Sequence, residues 1–344
     1  MKNLNKSKIF TVFLAVILLL APLCSTAYGA DENTQVYLGG MPFGVKFYTG
    51  TLIVSGLSEV DSVDGDKHPA SDAGIQENDV ILKVNGKTIS KAEDVADAVE
   101  ESGGKPVSLT CRRGEKEFEV SVTPVLSQST NKYRIGIWMK DSTAGIGTVT
   151  YIISETGGFG GLGHGICDSE GNLLKIERGI VTDISISGIN RGTPGSPGEL
   201  HGFFSSGKTG TVTCNTECGV FGVFSDITDL RDSGTLIEIG GKDKIHDGEA
   251  IIRCTLDDNT IQEYTAQISV PQNNDSQTKN FTIKITDPKL LEKTGGIVQG
   301  MSGSPIIQDG LLVGAVTHVL VSDSSEGYGI YIENMLEEMP EILK

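Results

Sequence analysis

Two short stretches carry residue types able to open a peptide bond. One is Gly300-Met301-Ser302-Gly303-Ser304-Pro305. A serine set between glycines marks a tight turn, because glycine has no Cβ and folds where other residues resist. Such a turn lifts the Ser302 hydroxyl into a cleft. It also aims the N–H groups of Gly300 and Ser302 at the point where an oxyanion forms. The other is the run from Gly157 to Asp168, which sets His164 among glycines. A lone histidine in a strand is usually a packed or exposed side chain. Here the glycines let backbone pass close to the imidazole and leave space for a substrate. A serine hydroxyl is a poor nucleophile at neutral pH and needs such a base.

The flanks fit that chemistry. Pro305–Ile307 reads as a short strand, Asp309-Gly310 as a two-residue hairpin turn and Leu311–Leu320 as the return strand. The chain has 5 histidines. His68, His201 and His246 fall in other parts or in polar loops, and His318, on the return strand, is the rival base. In a two-barrel arrangement that strand runs beside the substrate and the base comes from far upstream. This favours His164 and leaves His318 a substrate-side or structural role.

The 344 residues suffice for two domains and a leader, and the net charge of −17 argues against nucleic acid as a partner. Residues 1–30 read as an export signal or membrane anchor. Lys2, Lys6 and Lys8 precede the apolar run Ile9–Leu23, and Ala27-Tyr28-Gly29-Ala30 offers small residues for cleavage. Beyond Cys24, the cysteines at 111, 167, 214, 218 and 254 are odd in number and irregular in spacing, unlike a disulfide framework. Cys214-x-x-x-Cys218 has no second pair at finger-like spacing, so neither a metal nor a cofactor is expected.

Residues 35–127 form a first domain. A glycine-rich loop, Leu38 to Val45, leads into strands. A short helix ending at Gly74 follows, then the strand Asp79–Val84 and the Asn85-Gly86 turn. The stretch Ala92–Glu101 is an amphipathic helix with Val95, Ala98 and Val99 on one face. The segments Val107–Arg112 and Glu117–Val122 close a hairpin. This order resembles a PDZ domain, most of all in Ala73-Gly74-Ile75, Asp79-Val80-Ile81-Leu82 and Asn85-Gly86. The resemblance implies a site for peptide tails, with Met41, Pro42, Phe43, Gly44 and Val45 as the loop that holds the terminal carboxylate. Pro42 supplies no N–H to it.

Residues 132–344 form the second domain. Arg134–Trp138 opens it as a strand, and Thr148–Ser154 is β-branched and alternating. The strands that follow, with turns between them, predict a pair of β-barrels. The expected fold is therefore mainly β: leader, PDZ-like domain, then a chymotrypsin-like double barrel.

The nucleophile pattern resembles that of chymotrypsin-like serine peptidases. With the leader, the PDZ-like part and the His164 motif, nearly the whole chain resembles the stage IV sporulation protein B peptidases. That resemblance implies base His164, nucleophile Ser302 and acid Asp287, in Ile285-Thr286-Asp287-Pro288. From position alone Asp183, Asp226 and Asp229 compete as the acid, each reading singly as a solvated turn residue. Met301 stands where chymotrypsin relatives carry the aspartate that pairs with a new N-terminus, so that activation is not available here. The resemblance further implies export into the space between the two forespore membranes. There the protein cuts itself and then the extracytoplasmic part of a membrane-bound regulator of an intramembrane protease, which leads to activation of a late mother-cell sigma factor. Two other classes compete: a non-catalytic PDZ scaffold, and a metal-dependent hydrolase using His164, Asp168 and cysteines.

Overall fold

Apolar and polar residues alternate along strands such as Phe281–Ile285, which buries Phe281, Ile283 and Ile285 and exposes Thr282 and Lys284. Strands with one buried face close into barrels when both edges find partners. The computed structural model describes residues 35–344 except 169, 170, 177, 258, 259, 273 and 275. The expected leader, residues 1–30, lies outside the described residues. Among those described, no helix is long and apolar enough to cross a membrane.

Two closed rings of strands make up the part expected to be the peptidase. In the first, Pro42–Leu57 pairs with Ile137–Ile153, then come Gly158–Gly161, Gly219–Phe224, Gly210–Thr216 and Arg178–Asn190, which returns to Pro42–Leu57. In the second the order is Gly248–Thr255, Ile261–Ser269, Phe281–Ile285, Asp323–Tyr331, Leu311–Leu320 and Pro305–Gln308, closing on Gly248–Thr255. The short strand Gln35–Leu38 pairs with Ile137–Ile153 on one side and with Leu236–Ile239 on the other. Leu236–Ile239 in turn lies parallel to Leu311–Leu320. The barrels are thus stitched edge to edge. A cluster that includes Tyr151, Phe221, Leu312 and Met335 fills the space between them. The helix Ile332–Glu338 contributes Met335 to it.

The PDZ-like part interrupts the first barrel. The strands Pro42–Leu57 and Ile137–Ile153 pair from Pro42↔Thr148 to Tyr48↔Ser142. They resume pairing at Ile53↔Lys140 and continue to Leu57↔Ile137. Onto that far end are added Val80–Val84, Val107–Arg113 and Lys116–Val122. The helix Ala92–Glu101 buries Val95 and Val99 against them, and Leu52, Ile81, Leu109 and Ile135 join the same core.

One expected boundary is therefore corrected. Residues 35–48 belong to the peptidase part rather than to the PDZ-like domain, because Phe43, Val45 and Phe47 pack with Phe159 and Val220 in the first barrel. Residues 133–139, where the second domain is expected to open, lie against the inserted part. Tyr133, Ile135 and Ile137 pack with the PDZ-like core.

Candidate active site

The turn carrying Ser302 is held by its carbonyls. Thr148 and Thr150 lie two apart on the strand Ile137–Ile153, so they face the same way, and both are buried. The Thr148 N–H donates to Ser302 O at 2.9 Å, and the Thr148 hydroxyl donates to Gly300 O at 2.9 Å. The Thr150 hydroxyl donates to Gly303 O at 2.7 Å. Gly303 takes φ +92°, and a Cβ there would lie 2.0 Å from Thr148 O, so only glycine fits. With these carbonyls occupied, the N–H groups of Gly300 and Ser302 have no acceptor among the described residues. That is the arrangement an oxyanion hole requires. Sequence reading misses the two threonines. Their signal is two hydroxyls at strand spacing in a buried run, since buried hydroxyls need partners.

The same Thr148 anchors the histidine loop. Leu162 and Gly163 both take left-handed conformations, φ +67° and +66°, and the Leu162 N–H donates to Thr148 O at 3.2 Å. This double reversal ends the strand Gly158–Gly161 and is followed by His164. The ring's Nδ1 lies 2.9 Å from Gly165 O. A carbonyl only accepts, so Nδ1 carries the proton and Nε2 keeps its lone pair. Burial pushes the imidazole below its ordinary range against the pull of the Gly165 carbonyl, which keeps the ring neutral.

A cavity of about 450 Å3 brings His164, Gly300, Ser302 and His318 together. The Ser302 Oγ donates to Thr317 O at 2.9 Å, so the hydroxyl rests on the return strand. No aspartate or glutamate lines this cavity among the described residues.

The expected acid sits elsewhere. Asp287 begins the helix Pro288–Thr294, and its carboxylate accepts from the N–H groups of Lys289 and Leu290 at 2.8 and 3.2 Å. It serves the helix because its position before Pro288 is that of an N-cap. The positional rivals are also outside the cavity. Asp226 caps Thr228, while Asp183 and Asp229 are exposed.

The expected carboxylate-holding loop is corrected as well. Pro42, Phe43, Gly44 and Val45 are paired on both sides, to Thr148–Gly145 and, from Phe43 on, to Asp183–Val181, so no edge is open to a peptide. Met41 accepts from Val149 at 3.0 Å. The open edge lies instead at Ile137–Met139, which pairs with Leu57–Val54 on one side only among the described residues. A groove of about 490 Å3 separates this edge from Val95, Ala96 and Val99 of the helix Ala92–Glu101. Ile135-Gly136-Ile137 also lines it, with Gly136 at φ +73°.

For metal chemistry, no cluster of three or more His, Cys, Asp or Glu side chains able to hold an ion occurs among the described residues. The cysteines there are free thiols, with Cys111, Cys218 and Cys254 buried.

Parts of the chain match known proteins. A PDZ-domain profile matches residues 65–113. The chain is 39% identical over 56 residues to Serine protease HTRA1 of Xenopus tropicalis, covering 16% of this chain and 12% of that protein. It is 34% identical over 71 residues to the Regulator of sigma-W protease RasP of Bacillus subtilis, covering 21% and 17%. Over 139 residues it is 29% identical to a Probable periplasmic serine endoprotease DegP-like of Brucella suis, covering 40% and 27%. The chain thus spans about a quarter or less of the length of these curated relatives. Among solved structures it is similar to the HtrA-type protease AlgW, at 14% identity and TM-score 0.35, over 60% of this chain and 54% of that one. The profile of the SpoIVB peptidase S55 family matches residues 131–336, more than half of the sequence and both the histidine loop and the serine turn, and the chain belongs to that family.

Proposed function

We propose that this chain is a sporulation signalling endopeptidase whose nucleophile is Ser302 and whose general base is His164. The observation that carries the assignment is the meeting of the two motifs on one residue, Thr148, with His164 and Ser302 both lining one cavity. In the reaction, the Ser302 hydroxyl turns from Thr317 O and gives its proton to His164 Nε2. Its oxygen bonds to the substrate carbonyl carbon, and the negative charge passes to the carbonyl oxygen. The N–H groups of Gly300 and Ser302 receive that oxyanion. The oxyanion re-forms the carbonyl as the C–N bond breaks, and the His164 imidazolium gives its proton to the leaving amine. Water, deprotonated by the same His164, then cleaves the acyl–Ser302 ester, and the proton returns to Ser302 Oγ. The Gly165 carbonyl keeps Nδ1–H in place throughout.

In this reading the protein is exported to the space between the two forespore membranes. It cuts its own chain, then the extracytoplasmic part of a membrane-bound regulator of an intramembrane protease, and so leads to activation of a late mother-cell sigma factor. Peptide tails dock as an added strand along Ile137–Met139. Family membership and the unpaired edge of the groove support this account. The test is to express residues 31–344, wild type beside Ser302→Ala, and to sequence the N-termini of all fragments. Fragments confined to the wild type are expected. The same fragments from both proteins would remove Ser302 as nucleophile.

A further inference from the structure

One imidazole in the cavity has no task in this mechanism. His318 follows Thr317, the residue whose carbonyl holds the Ser302 hydroxyl. Its ring packs on that of His164, with centroids 4.9 Å apart and planes 36° from parallel. Its Nδ1 is buried and has no hydrogen-bond partner, which is true of no other side-chain atom lining the cavity among the described residues. The groups that face His318 are His164, Lys279 and its cross-strand neighbour Tyr328, whose ring lies 5.4 Å from the Lys279 ammonium. None of them is a carboxylate.

Burial first, then the nearness of His164 and Lys279, pushes His318 down to about 4. It is therefore held uncharged near neutral pH. When His164 takes the Ser302 proton, a cation develops against the face of a neutral aromatic ring. Such faces attract cations, more strongly where water is excluded. We infer that His318 is a positioning residue for the general base, its ring fixing the plane of His164 and favouring the imidazolium, the work a carboxylate does in the usual triad. The inference rests on His164 being the base.

The experiment measures kcat/KM against pH for residues 31–344, on a fluorogenic peptide that wild type cleaves and Ser302→Ala does not. His318→Phe keeps the ring and is expected to stay within about threefold of wild type with an unchanged acid limb. His318→Leu removes the ring and is expected to lose about tenfold in kcat. Its acid limb moves to lower pH. The sign follows because the base works when neutral: activity falls as pH drops through the His164 pKa, and losing a partner of the cation lowers that pKa. His318→Met provides a second ring-free variant should the leucine protein fail to fold, and melting curves separate folding from catalysis. Ring-free variants with the kcat and acid limb of wild type would overturn the inference. So would a phenylalanine variant as impaired as the leucine one, since the nitrogen rather than the ring would then matter. Wild-type cleavage by His164→Ala would instead remove the base assignment, and the inference with it.

Discussion

The Asp287 carboxylate accepts from two amides of the first turn of Pro288–Thr294, groups that a helix cannot satisfy by itself. An amide oxygen accepts those bonds as well as a carboxylate does, whereas a triad acid must be charged to hold an imidazolium. This separates the two roles. Asp287→Asn should keep kcat/KM within about threefold of wild type. Asp287→Ala should cost about 1 kcal/mol of stability by thermal or denaturant melting, with little change in kcat well below the transition. A loss of about ten-thousandfold in kcat for Asp287→Asn would show that the chain rearranges to bring this residue to His164. The Asp-Pro pair is a legible helix start in the sequence. The resemblance to a family with an acid at this place draws attention away from it. Ser302, His164 and the glycines beside them are legible because each motif is local. The packing of His318 on His164 is not, because it joins residues from different barrels.

At the scale of elements, the groove of the inserted part depends on one turn. A Cβ on Gly136 would lie 2.2 Å from Ser58 O, and the residue takes φ +73°. Gly114 has a similar φ of +60°, but a Cβ there would meet nothing within 4 Å. Gly114→Ala should therefore cost about 1 kcal/mol through its backbone conformation alone, and Gly136→Ala about 2 kcal/mol or more. Melting curves of the two single variants decide this, and equal losses would remove the argument from the collision. The helix Ala92–Glu101 and the strands around it are readable from periodicity. The groove's loop is misplaced by sequence because Leu38 to Val45 is glycine-rich and precedes a strand, as such a loop should. Ile135-Gly136-Ile137 comes after the closing hairpin, at the far end of the inserted part. Local pattern reports strand and turn; it does not report which strand lies beside the helix.

At the scale of the molecule, the insertion decides where the chain can be cut. Residues 132–344 lack Gln35–Leu38 and the strand that carries Phe43 and Phe47, whose partners include Phe159. The first barrel then has two open edges, and open edges pair with other chains. A fragment of residues 132–344 is expected to aggregate or to lack a cooperative transition, while residues 35–344 melt cooperatively. A cooperative transition in the shorter fragment would contradict the architecture. Sequence alone suggests the shorter fragment, because each half of a long strand reads as a separate piece. The uninterrupted strand Ile137–Ile153 has one more consequence. Its Met139 borders the groove and its Gly145 the catalytic cavity, about 20 Å further along at strand rise. A polypeptide gripped by its tail in the first must stretch across that interval before any bond meets the second. In the proposed reading the fold would thus act as a ruler, placing the last half-dozen or so residues of a tethered chain beyond the blade of the molecule that holds it.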